Sequence, residues 1–153
     1  MPSLDTNVLV RWLTNDDVDQ VSRIRELFAA SAGQAEAFYV PVTVMLELEW
    51  VLRSRYRFDR PQILTALTAL LETRELSFEG EGALERALHL YREHGGDFAD
   101  CLHVGQAGAA GRAPLLTFDQ RASRLPGAQN LDPRGSSSRA MSRRRDASTT
   151  SRK

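Results

Sequence analysis

A chain of 153 residues falls within the roughly 100–200 that commonly form one domain, and 42% hydrophobic residues suffice for an ordered core. No apolar run approaches the ~18–20 residues needed to cross a bilayer, and Asp5 and Arg11 interrupt any leader-like N-terminus, so no membrane association and a cytoplasmic location are expected. Zero net charge conceals an asymmetry: Arg134 to the end holds seven basic residues and one acid, against 13 basic and 19 acidic before it.

Cys101 is the only cysteine, which excludes an internal disulfide and a thiolate metal cluster. His89 and His94 stand five apart, an interval that does not share a helical face, so a zinc site is not expected. Lys153 is the only lysine, and chemistry that needs a buried, positioned lysine has no candidate in the body of the chain.

Ser3 to Asp5 reads as a short first strand, with Thr6-Asn7 capping a helix whose apolar face is Val8, Leu9, Trp12 and Leu13. Asn15-Asp16-Asp17 caps a second helix, where Val21, Ile24, Leu27 and Phe28 recur at helical spacing. Ala37 to Val40 is a buried strand closed by Pro41, and Thr43 opens a helix containing Glu47 and Trp50. Arg60-Pro61 starts a helix through Leu71, Leu76 to Phe78 forms a strand, and Ala83 to His94 forms a helix ended by Gly95-Gly96. Asp97 caps the helix Phe98 to Ala110, where Gly105, Gly108 and Gly111 suggest close packing. Pro114 to Thr117 is the last clear strand, and Ala128 to Leu131 adds an edge. Short strands alternating with helices indicate an α/β fold around a mainly parallel sheet. Residues 1–132 form the domain, and 133–153, with almost no apolar content, read as a disordered basic tail.

In open α/β sheets, ligands bind beyond the carboxyl ends of the strands. Asp5 and Asp119 each follow a strand, Asp97 and Asp100 open a helix, and Glu47 lies one turn into another. Carboxylates gathered without cations repel, and a hard ion such as Mg2+ or Mn2+, with its oxygen preference, relieves that repulsion. Such an ion activates water and stabilises a phosphodiester's leaving oxygen, with a pair of ions ~3.5–4 Å apart in the fuller version. A lone aspartate at a strand end is also an ordinary helix cap, and residue type and spacing leave both readings open. Glu47 sits among Met45, Leu46, Leu48, Trp50 and Val51, and Glu49 points about 200° away, so at most one of these acids faces a common site. Trp12 and Trp50 read as core residues.

Four segments resemble the motifs of PIN-domain proteins, in particular VapC-type toxins. They are Leu4-Asp5-Thr6-Asn7-Val8-Leu9-Val10-Arg11, Glu47-Leu48-Glu49-Trp50-Val51-Leu52-Arg53, Asp97-Phe98-Ala99-Asp100-Cys101-Leu102-His103 and Leu116-Thr117-Phe118-Asp119. The resemblance spans Leu4 to about Leu131. It implies a three-layer α/β/α sandwich with a mainly parallel four- or five-stranded sheet, usually homodimeric. It implies an endoribonuclease that needs Mg2+ or Mn2+ and leaves a 5′-phosphate and a 3′-hydroxyl. Asp5, Glu47, Asp100 and Asp119 would be the catalytic, metal-binding acids and Asp97 a further ligand, with Asn7 and Thr117 supporting them. It further implies a cognate VapB-type antitoxin, through which operator DNA is contacted.

Other classes fit less well. A haloacid-dehalogenase phosphatase wants a second aspartate where Asn7 stands, and a downstream lysine. Receiver domains and P-loop NTPases fail on the missing lysine, and no G-x-x-x-x-G-K is present. A catalytically silent PIN-like interaction module and a structure-specific DNA nuclease remain as alternatives. The basic tail reads as a dispensable extension, with an RNA-binding arm as the other reading.

Overall fold

The computed structural model describes residues 1–132 and Arg134, and the expected basic tail otherwise lies outside the described residues. Leu4 donates its N–H to the Tyr39 carbonyl at 2.9 Å, and Tyr39 donates to the Pro2 carbonyl at 2.9 Å. The N-terminal segment therefore runs parallel to strand β1 (Phe38–Val40), with Ser3 paired to Tyr39. Strand β1 pairs in parallel with β2 (Leu76–Phe78), Phe38 opposite Leu76. Phe38, Val40, Leu76 and Phe78 are buried while Tyr39 and Ser77 are half-buried, as expected where helices cover both faces of parallel strands. A second parallel pair joins β3 (Leu115–Thr117) to β4 (Ala128–Asn130).

The fold is thus α/β with parallel strands, as expected, but the hydrogen bonding does not form one continuous sheet. Among the described residues it forms two two-stranded ladders and a single bridge. Three-residue strands present few backbone groups, and Pro2 has no N–H to extend the N-terminal pairing.

Among the described residues six α-helices accompany the strands: α1 (Thr6–Thr14), α2 (Val18–Ala30), α3 (Val42–Ser54), α4 (Arg60–Leu71), α5 (Glu81–His94) and α6 (Phe98–Ala109). Asp5, rather than Thr6-Asn7, is the N-cap of α1, accepting the Thr6 N–H at 2.8 Å. Asp17 caps α2 through the Gln20 N–H, and Asp59 with Gln62 closes a reciprocal capping box on α4. Trp12 stacks on Phe28 at 4.9 Å, which confirms it as a packing residue. In α4, Ile63, Leu67 and Leu70 turn into the core.

Helices α5 and α6 pack closely because Gly105 has no side chain: a Cβ there would stand 2.5 Å from the Ala83 carbonyl oxygen. Gly108 faces open space and serves no such contact. Helix α5 stops at Gly95, whose φ of 68° is the left-handed conformation that glycine adopts without steric cost. The chain then turns through Gly96 and Asp97 directly into α6.

Candidate active site

Asp5 and Asp119 sit where short extended segments hand over to helical turns, Asp97 and Asp100 lie at the junction of α5 with α6, and Glu47 lies within α3. Asp5 is exposed at the start of α1, and one of its oxygens is engaged in the cap. Asp97 occupies the N-cap position of α6, yet its side chain makes no capping hydrogen bond. The simple capping reading therefore holds for Asp5 and fails for Asp97. Asp100 lies half-buried in the first turn of α6. Asp119 accepts the Ala122 N–H at 2.8 Å and donates its own N–H to the Thr117 hydroxyl at 3.0 Å. Thr117 thereby fixes the turn that carries Asp119.

The charges of Asp97 and Asp119 both reach Asp100. Burial raises the Asp100 carboxyl above the usual carboxylate range, and the negative charges of Asp119 and Asp97 raise it further. His103 and Arg121 pull it partly back. Glu47 lines a separate cavity of about 330 Å3, together with Thr6, Asn7, Arg11, Trp50 and Arg55 and without Asp97, Asp100 or Asp119. Asp5 immediately precedes Thr6 and Asn7 in that lining. Among the described residues, no three His, Cys, Asp or Glu side chains stand close enough to hold an ion between them.

The two acids of α3 have separated roles. Met45, Leu48, Glu49 and Leu52 make the buried stripe, at the i, i+3, i+4, i+7 spacing of a core-facing helix. Glu49 is 3% exposed and pairs with Arg53 Nε at 2.8 Å, a bond that raises the Arg53 pKa. The acid enclosed by apolar neighbours is therefore Glu49, whereas Glu47 is exposed on the far side of the helix. Geometry at about 100° per residue already required that only one of them face the site.

Several cations beside the acids went unnoticed in the sequence. Arg60 donates to the Gly96 carbonyl at 2.9 Å and the Tyr91 carbonyl at 2.7 Å, bracing the turn that leads to Asp97. Its guanidinium lies 3.8 Å from the Tyr91 ring centroid. Arg53 is close enough to Asp97 to gain from its charge. No local motif marks Arg60, whose carbonyl partners lie 31 and 36 positions away, and the spacing that pairs Arg53 with Glu49 four residues earlier gives no sign of its approach to Asp97. Cys101 is buried and its thiol is pushed up to about 11 by desolvation, so it is no nucleophile at neutral pH.

Residues 3–128 match the PIN domain family, from the N-terminal strand into β4 and across all five acids. This chain belongs to the PIN-domain family. The PIN domain is also 28% identical over 133 residues to a VapC ribonuclease from Aquifex aeolicus (strain VF5), covering 87% of this chain and 97% of that protein. The matched region contains every residue of the candidate site.

Proposed function

We propose that the chain is a Mg2+- or Mn2+-dependent endoribonuclease and the toxin of a VapBC-type pair. The observation that carries the reading is the match of residues 3–128 to the PIN domain family, and beside it the charges of Asp119 and Asp97 both act on the half-buried Asp100 carboxyl. An all-oxygen set of mutually repelling carboxyls suits a hard divalent cation. Asp5, Glu47, Asp97, Asp100 and Asp119 are the residues that would hold it. When bound, the ion supplies water activation and charge neutralisation at the scissile phosphate. Thr117 keeps the Asp119 turn in place, and Asn7 offers a neutral amide beside Glu47 to orient water or a phosphate oxygen.

The reading includes a cognate VapB-type antitoxin, operator DNA contacted through that antitoxin alone, a homodimer and a cytoplasmic location. No helix among the described residues is long and apolar enough to cross a membrane. One observation favours a second reading, a silent interaction module: among the described residues the acids are not grouped in threes at ligating distance. Titrating Mg2+ and Mn2+ into the chain with total RNA, free of antitoxin, and sequencing the cut ends separates the two. Ion-dependent cuts bearing 5′-phosphates, lost in Asp5→Asn, support the nuclease. Equal inertness of both proteins supports the module. Single-stranded DNA and branched DNA run in parallel test the third alternative, a DNA nuclease.

A further inference from the structure

Trp50 departs from its expected place in the core: it is 50% exposed. It stands three residues after Glu47, so the two share the outward face of α3, opposite the buried stripe. Both line the 330 Å3 cavity, a size that accepts a small polar ligand. The cavity's two arginines differ. Arg11 is bound to Asp16 at 3.1 Å, Gln20 at 2.9 Å and Tyr56 at 3.0 Å, which neutralises its charge locally. Arg55 is exposed and makes no ion pair or side-chain hydrogen bond among the described residues. Its guanidinium lies 6.0 Å from the Trp50 ring centroid, the outer limit of a cation–π contact, so it is loosely held.

An exposed indole beside an unpaired guanidinium offers the two attractions that single-stranded nucleic acid uses, stacking for a base and charge for a phosphate. A base within a duplex cannot present its face to a side chain, so the pair selects unpaired nucleotides. We propose that Trp50 and Arg55 form a nucleotide-binding subsite for single-stranded RNA, with a base stacked on Trp50 and an adjacent phosphate held by Arg55. The subsite extends the nuclease reading and rests on it for the identity of the polymer. It places a nucleotide of the substrate next to Glu47 and Asn7. The body's excess of acids makes this local cation the more important for drawing a polyanion in.

The test measures binding of the full-length, metal-free chain in EDTA to a fluorescently labelled hexauridylate, so that affinity is scored independently of cutting. Trp50→Leu is expected to weaken binding on the order of tenfold, the scale of one lost base stack. Arg55→Gln is expected to weaken it and to reduce the slope of log affinity against log salt by about 0.7, one phosphate contact on a single strand. Trp12→Phe, which leaves Trp50 as the only indole, should show quenching on addition of the oligonucleotide. Binding of Trp50→Leu and Arg55→Gln indistinguishable from the parent in affinity and salt slope overturns the subsite, as does equal affinity for a duplex of the same length. Wild-type binding without ion-dependent cleavage removes the nuclease reading and leaves the subsite standing.

Discussion

Glu47 and Glu49 are two residues apart, and neutralising them should have opposite consequences. Glu49 is 3% exposed, but its partner Arg53 keeps 54% of its side chain in water. A fully buried pair broken on one side costs ~3–5 kcal/mol, and an exposed pair ~0–1 kcal/mol. Arg53→Met strands the Glu49 carboxylate in the core, so the cost lies between these limits, about 2 kcal/mol after allowing for the water that reaches Arg53. Glu49→Gln removes the charge that burial penalises and leaves Arg53 free to hydrate, so it costs less, about 1 kcal/mol or below. At ~2–4 °C per kcal/mol for a chain of this size, the expected losses in Tm are about 4–8 °C for Arg53→Met and under about 4 °C for Glu49→Gln. The double variant should be less destabilised than Arg53→Met alone, because the stranded charge is gone. Glu47→Gln should leave Tm within about 1–2 °C, as surface substitutions do, while lowering RNA cleavage on the order of 100-fold as one electrostatic stabiliser of the reaction is lost. Thermal melts and initial cleavage rates of the parent and the four variants decide the matter. A Glu49→Gln variant as unstable as Arg53→Met, or a Glu47→Gln variant that cuts at the parental rate, would refute the assignment of the two acids.

The metal-free protein should lose stability as pH rises through the titration of Asp100. Burial and the charges of Asp119 and Asp97 raise the folded carboxyl above its unfolded value, so between the two values the folded chain holds a proton that the unfolded chain has released. Melts in EDTA from about pH 4 upward, near the ordinary carboxylate value, should show this decline flattened in Asp100→Asn; an unchanged profile in the variant speaks against the coupling. Added Mn2+ should raise the Tm of the parent and do so less for Asp100→Asn, whereas equal shifts exclude Asp100 as a ligand. Gly105→Ala should destabilise by ~1–3 kcal/mol through overpacking, because its Cβ would meet the Ala83 carbonyl at 2.5 Å. Gly108→Ala, in the same helix but with its Cβ in open space, should be neutral or slightly stabilising, and a melt showing the reverse order would contradict the packing of α5 on α6.

Much of the architecture was legible in the chain itself. Strand β2 runs from Leu76 to Phe78, the bounds expected from the sequence, and proline, glycine and aspartate mark most helix ends. These signals are local, since a missing N–H, a left-handed turn or a capping oxygen acts on its immediate neighbours. The junction positions of Asp5, Asp97, Asp100 and Asp119 follow from the same signals. The alternation of Met45, Leu48 and Leu52 also carried the burial of Glu49 and the outward direction of Glu47 and Trp50, had the helical period been applied to the acids as strictly as to the leucines.

Packing alone decided the rest. Whether Asp97 uses its carboxylate as a cap, and which charges reach Asp100, depend on how α6, β3 and their loops converge across the chain. The same is true of Arg60, which finds its carbonyls 31 and 36 residues away. A sequence fixes which groups a segment carries and, through helical and strand periods, how they alternate. Electrostatic coupling depends on distance and solvent access, and both are created only when remote segments exclude water together.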